Sequence, residues 1–147
     1  MEINWPKMTL GEVIDLAAER YPSQEAIVLK DRRITYARLK EAVDTFSENL
    51  CHIGVKRGDK VSIWMVSCPE WIIAQFAIAK LGAVMVAVNT RFKLSELEYI
   101  LTQSDTSTLI MMGTFRSVDF LKMISELCPE IWIYQPNDLK CQPTLES

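Results

Sequence analysis

The chain has little of what phosphate-binding and catalytic loops are usually built from. Glycine occurs only five times, as Gly11, Gly54, Gly58, Gly82 and Gly113. No pair of them falls into Gly-x-Gly-x-x-Gly or Gly-x-x-x-x-Gly-Lys-(Ser/Thr), so a dinucleotide fingerprint and a P-loop are both excluded. His52 is the single histidine. The four cysteines, Cys51, Cys68, Cys128 and Cys141, form no Cys-x-x-Cys pair, which argues against a zinc site and fits reduced thiols in the cytoplasm. No basic excess exists, since 16 basic residues face 19 acidic ones for a net charge of −3, and a nucleic-acid groove is not expected. No run of about 18 uncharged apolar residues occurs, so no membrane span is expected. Lys80 breaks the longest candidate, from Trp71 to Val88. The start, Met1-Glu2-Ile3-Asn4-Trp5-Pro6, lacks the basic-then-apolar order of a signal peptide.

What the chain does have is apolar content arranged periodically. Hydrophobic residues make up 49% of 147, enough for one domain with a real core. Thr9-x-x-Glu12 is a capping box, followed by Leu10, Val13, Ile14 and Ala17 at helical spacing and a stop at Pro22. Ala26–Leu29, the turn Lys30-Asp31-Arg32 and Arg33–Thr35 read as a hairpin. A second helix carries Leu39, Val43, Phe46 and Leu50 on one stripe and ends at Gly54, a left-handed cap.

The pattern then changes to buried strands alternating with helices. Val61–Val66 is apolar on both faces. Pro69 suits the first helical position after a Ser67 or Cys68 cap, and the helix Glu70–Leu81 is apolar nearly all round. Gly82 ends it at positive φ. Ala83–Val88 is again a continuous apolar strand, and Leu81, Val84 and Val86 are expected in the core. Ser95-x-x-Glu98 is expected to cap a helix holding Leu97, Ile100 and Leu101. A strand over Thr108–Met112, a helix over Phe115–Leu127 with Val118, Leu121, Ile124 and Leu127 in step, and a strand over Ile131–Tyr134 complete the set. This order predicts an α/β fold: a doubly wound, mainly parallel sheet with flanking helices and right-handed crossovers, preceded by an N-terminal helix and a small β-hairpin. Residues 1–134 form one subdomain, and 135–147 is a polar tail expected to be poorly ordered.

The residues suggest no catalytic pair. Cys51 and His52 are helix neighbours that point apart, so His52 reads as a surface or capping residue. Glu41, Asp44 and Glu48 read as a solvated helix face. Trp64, Trp71, Phe76 and Tyr99 fall at core positions rather than in a cofactor box.

Three segments carry a family resemblance. They are Ile34-Thr35-Tyr36-Ala37-Arg38-Leu39, then Gly58-Asp59-Lys60-Val61 with Cys68-Pro69-Glu70, then Lys80-Leu81-Gly82-Ala83-Val84-Met85-Val86-Ala87-Val88-Asn89. In this order and spacing they resemble the N-terminal part of the adenylate-forming (AMP-binding) enzymes. Asn89-Thr90-Arg91-Phe92 and the following Glu-Leu helix are most similar to acyl-CoA synthetases (fatty-acid–CoA ligases), with Thr90 and Ala87 standing where prolines are common. The resemblance implies a full-length parent that uses ATP, Mg2+ and CoA to convert a carboxylic acid, fatty acids foremost, to acyl-adenylate and then acyl-CoA. It implies that the family's Ser/Thr/Gly-rich phosphate loop, ribose-binding Asp and mobile C-terminal domain lie beyond Ser147. The piece alone is then expected to bind no cofactor, to be inactive and to have no catalytic residues of its own. Its partner is the remainder of the same polypeptide. On its own it is expected to self-associate as a homodimer through bared apolar surface and an open sheet edge. One cofactor contact is implied: Arg91 beside the CoA phosphates, where a guanidinium presents several fixed donors. The bland alternative for Arg91 is a surface side chain paired with Glu96 or a sheet-end carbonyl. The alternative functions are a non-catalytic partner-binding module and an adenylating enzyme with a carrier-protein or amine acceptor.

Overall fold

The structure, a computed structural model, describes residues 7–130. The strand expected over Ile131–Tyr134, the polar tail and Cys141 lie outside the described residues. In chain order the elements are α1 (Leu10–Arg20), β1 (Glu25–Leu29), β2 (Arg32–Thr35), α2 (Tyr36–His52), β3 (Lys60–Trp64), α3 (Pro69–Lys80), β4 (Val84–Ala87), α4 (Leu94–Gln103), β5 (Thr106–Met111), β6 (Thr114–Phe115), β7 (Val118–Asp119) and α5 (Phe120–Leu127).

The larger sheet is parallel, in the order β4-β3-β5. Val61 sits opposite Met85 on one side and Thr108 on the other, and Ile63 opposite Ala87 and Ile110. The chain therefore steps from β3 to one side, then returns past β3 to the other, which is the doubly wound arrangement. Central β3 has partners on both edges and buries Val61, Ser62, Ile63 and Trp64. Two helix groups flank the sheet: α1, α2 and α3 pack on one another, and α4 packs on α5. Antiparallel β1–β2 forms the expected hairpin, with Lys30 in the left-handed region at its turn.

Local signals set most boundaries as expected. Thr9 Oγ1 accepts from the Glu12 N–H at 3.4 Å, while the Glu12 carboxylate accepts from the Thr9 N–H at 2.6 Å. Leu39, Val43, Phe46 and Leu50 are all buried on α2. Pro69 opens α3 after Cys68, and no residue of α3 is exposed. Gly54 and Gly82 take positive φ of 97° and 66°, so both helix ends turn through the region glycine favours.

Five expectations are corrected. The buried stripe of α1 is Gly11, Ile14 and Ala18, while Leu10 and Val13 are exposed. The reason is steric: a Cβ on Gly11 would lie 2.9 Å from the Lys80 Cα, so α1 meets α3 backbone to backbone along its glycine face. Val84 is 49% exposed, and Leu81 and Val86 are only half-buried, because among the described residues β4 has a single neighbour, β3. The α4 helix starts two residues early. The Glu96 carboxylate accepts from the Lys93 N–H at 2.8 Å, leaving Ser95 and Glu98 inside the helix and exposed. The expected helix over Phe115–Leu127 begins instead at Phe120, capped by Asp119 to the Lys122 N–H at 2.9 Å. Before it the chain folds back as the β6–β7 hairpin, with Arg116 at φ 54°, and Val118 is exposed. Tyr99 is 65% exposed: two residues beyond buried Leu97, it lies about 200° around α4 from the packed face.

Gly11→Ala is expected to destabilise the chain by about 1–3 kcal/mol, because the new methyl meets backbone that cannot give way. Urea unfolding measures it. A loss within about 0.5 kcal/mol, the range of ordinary surface substitutions, would show that α1 does not sit this close to α3.

Candidate functional site

In doubly wound sheets, ligands bind outside the carboxyl ends of the strands, where the winding reverses. Here that edge is formed by Met65–Cys68 after β3, Val88–Lys93 after β4 and Met112–Phe115 after β5. Beneath it the packing is tight. Trp64 and Phe120 are both buried and meet edge to face, with ring centroids 4.6 Å apart. The Trp64 indole Nε1 has no hydrogen-bond partner among the described residues.

Arg91 stands on this edge, as its position after β4 requires. Val88 is buried and donates its N–H to the Ile63 carbonyl at 2.9 Å, which anchors the start of the loop. The Asn89 side-chain oxygen accepts from the Arg91 N–H at 2.9 Å, and the Asn89 carbonyl accepts from the Phe92 N–H at 3.1 Å. Phe92 packs against the core. The Arg91 side chain is exposed, and its guanidinium makes no ion pair or hydrogen bond among the described residues. The Glu96 carboxylate turns to the Lys93 N–H instead. Neither bland partner for Arg91 is therefore engaged.

Two charged clusters brace the scaffold behind this edge. The Glu70 side chain, 11% exposed at the start of α3, accepts from both terminal Arg32 nitrogens, at 2.6 and 3.3 Å. Burial alone would raise the Glu70 pKa. The Arg32 hydrogen bonds and charge, together with a backbone N–H and the Cys68 side chain, outweigh it and hold Glu70 below its ordinary value. This pair ties the hairpin to the α3 N-terminus, beside Cys68. The second cluster joins three helices. Lys80 of α3, 16% exposed, reaches Asp15 of α1 at 2.6 Å and also Asp44 of α2. Lys40 of α2 meets Asp44 at 2.5 Å and Asp15 at 3.6 Å. Asp44 is thus no member of a solvated face. Desolvation pulls Lys80 down and Asp44 up. The hydrogen bonds between them and their neighbours win, leaving Lys80 raised and Asp44 lowered. Lys40 is raised chiefly by its Asp44 hydrogen bond.

The Lys40-x-x-x-Asp44 spacing was a readable helix pair. Asp15 and Lys80 had no local signal, being 65 residues apart in sequence. His52 is exposed in the last turn of α2 next to exposed Cys51, a capping place with no nucleophile–base geometry. Among the described residues no group of three or more His, Cys, Asp or Glu could hold a metal ion, and no helix is long and apolar enough to cross a membrane. At the carboxyl edge the described residues thus offer an exposed cation, Arg91.

Residues 14–143 match a known family model, that of the AMP-binding enzymes. The chain belongs to the AMP-binding enzyme family. YngI of Bacillus subtilis (strain 168), named as an acyl-CoA synthetase, is 38% identical over 136 residues, covering 91% of this chain and 25% of that protein. The human mitochondrial medium-chain acyl-CoA ligase ACSF2 is 34% identical over 136 residues, covering 91% and 22%. The chain thus spans about a quarter of the length of the curated relatives it matches. Among solved structures, the N-terminal domain of FACL13 from Mycobacterium tuberculosis aligns with a TM-score of 0.68 at 30% identity, over 70% of this chain and 26% of that one. The anthranilate CoA ligase AuaEII, in complex with anthranoyl-AMP, aligns with a TM-score of 0.75 at 26% identity, over 84% and 23%.

The ion cluster gives a pH dependence whose sign is fixed. Asp44 is held below its ordinary 3.8, so its stabilisation is complete above that value and is lost as pH falls through the lower, folded-state value. Lys40 and Lys80, raised above 10.5, lose theirs only at the alkaline end. Asp44→Asn should lower stability at neutral pH and shrink the loss between about pH 7 and about pH 3. Urea unfolding at the two pH values tests this; an acid limb identical to wild type would show that Asp44 is not part of it.

Proposed function

We propose that this chain is the N-terminal part of an ATP-dependent acyl-CoA synthetase. The observation that carries the reading is the likeness, over nine-tenths of the chain, to proteins named as acyl-CoA synthetases and ligases. In this reading the full-length protein joins a carboxylic acid, fatty acids foremost, to AMP with release of pyrophosphate. The CoA thiol then takes the acyl group and AMP leaves. ATP and Mg2+ are held by parts outside these residues, and the protein works in the cytoplasm. This chain supplies the scaffold and one CoA contact, Arg91, whose guanidinium stands unengaged among the described residues at the carboxyl edge. Such a side chain suits phosphate because its fork of donors matches the phosphate oxygens.

In the full-length protein, Arg91→Ala is expected to raise the KM for CoA about ten- to a hundredfold, the worth of one charge-assisted hydrogen bond. Acyl-adenylate formation, followed by pyrophosphate exchange, should change far less, since CoA enters only the second step. Equal damage to both half-reactions would make Arg91 structural, and an unchanged KM would dismiss the CoA contact.

We further propose that the isolated chain is inactive and self-associates as a homodimer. Edge strand β4 is paired only with β3 among the described residues, and Val84 is exposed on it. Beside it an open, mainly apolar groove of about 340 Å³ runs between Leu10, Ile78 and Met85. Unpaired edges and apolar patches favour association, and two-fold pairs are the commonest form. Sedimentation at micromolar concentration should show a dimer, and pyrophosphate release with ATP and a fatty acid should stay at background. A clean monomer, or release abolished by a point mutation in this chain, would overturn the respective claim.

A further inference from the structure

The β4–α4 loop is closed by two acceptors on one residue, and we infer that Asn89 is the residue that positions Arg91. This inference rests on the reading of Arg91 as a CoA-phosphate contact. An exposed loop arginine samples many positions, and ordering it on a ligand costs conformational entropy. Here the backbone beneath it is already fixed. The Asn89 amide oxygen accepts from the Arg91 N–H at 2.9 Å, and the Asn89 carbonyl accepts from the Phe92 N–H at 3.1 Å. The turn is thus closed from one residue by side chain and main chain together, as asparagine does well. Its two ends are seated: Val88 is buried under a bond to Ile63, and Phe92 packs on the core. One residue further on, the Lys93 N–H donates to the Glu96 carboxylate at 2.8 Å. That bond keeps the nearest expected counter-charge off the guanidinium. Asn89 therefore acts on the ligand through Arg91, not by touching it.

Asn89→Ala removes the acceptor without adding charge, and Asn89→Ser restores a weaker one. In this chain, amide hydrogen exchange at Arg91 should be slowed in the native protein, fast in Asn89→Ala and intermediate in Asn89→Ser. In the full-length protein, Asn89→Ala should raise the KM for CoA about three- to tenfold, with kcat changed less, and Asn89→Ser should recover part of the loss. Added to Arg91→Ala, Asn89→Ala should raise the KM no further, because the residue it positions is gone. If the two effects multiply, Asn89 acts independently of Arg91 and the inference falls. It falls also if Asn89→Ala leaves the KM and the Arg91 exchange unchanged while Arg91→Ala raises the KM; the CoA contact then survives without it. If Arg91→Ala itself leaves the KM unchanged, the CoA contact is refuted and the positioning role with it.

Discussion

The meeting of α1 with α3 at Lys80 is the constraint on which the helical layer depends. Gly11 brings the two backbones so close that no side chain fits between them. That approach places Asp15, one turn along α1, within reach of the Lys80 ammonium. Asp44 of α2 arrives at the same ammonium from the other side. Each carboxylate also meets Lys40, so two cations and two anions alternate. Ion pairs between exposed side chains contribute little, but Lys80 is largely withdrawn from water, and its removal would leave Asp15 and Asp44 to share Lys40 alone. The close packing and the charge cluster thus enforce one another. A wider helix spacing would break the ion pairs, and a missing charge would weaken the reason for close approach.

This constraint reaches the carboxyl edge through α3. Helix α3 is clamped at its C-terminal end by Lys80 and at its N-terminal end by the Glu70–Arg32 pair. Gly82 then turns the chain directly into β4, with the Gly82 carbonyl accepting from the Gly58 N–H at 3.0 Å. Four residues of strand later, the chain emerges as the Arg91 loop. The loop is exposed, yet it departs from a strand whose start, direction and register against β3 are fixed. Binding loops set on a rigid frame are the common arrangement, because the frame supplies position and the loop supplies chemistry.

Much of this was legible in the sequence, for reasons particular residues make plain. Thr9 with Glu12, Pro69, Gly54 and Gly82 are local devices, and local chemistry decides where a helix begins or ends. Buried β3 was legible because it is apolar on both faces and has partners on both edges. The failures are those where tertiary contact decides. Strand β4 reads as apolar as β3, yet Val84 is exposed, because hydropathy does not say which strand lies at the edge. The buried stripe of α1 shifted toward Gly11, because only the partner helix tells whether a glycine is a gap or a contact. Phe115 to Asp119 has helical periodicity, but Arg116 turns it back on itself and Asp119 is the better cap. The place of Arg91 was legible from its position after β4. Its freedom from Glu96 was not, since Ser95-x-x-Glu98 competes in sequence with the bond from the Lys93 N–H to Glu96.

The family motif around Lys80-Leu81-Gly82-Ala83 can now be given a physical meaning in this chain. Lys80 is the one ionisable residue among them, and its pairing favours the charged ammonium, which is neither nucleophile nor base. Lys80 spends its charge on Asp15 and Asp44, and Gly82 spends its freedom on a φ of 66°. Arg57 lies across Gly82, so a Cβ there would meet its side chain at 3.1 Å as well as a strained backbone. The segment therefore works as a corner brace: it ends a buried helix, reverses the chain within a few residues and launches a strand toward the carboxyl edge. A motif of this kind marks a family through its frame, and the chemistry is left to loops that the frame holds in place.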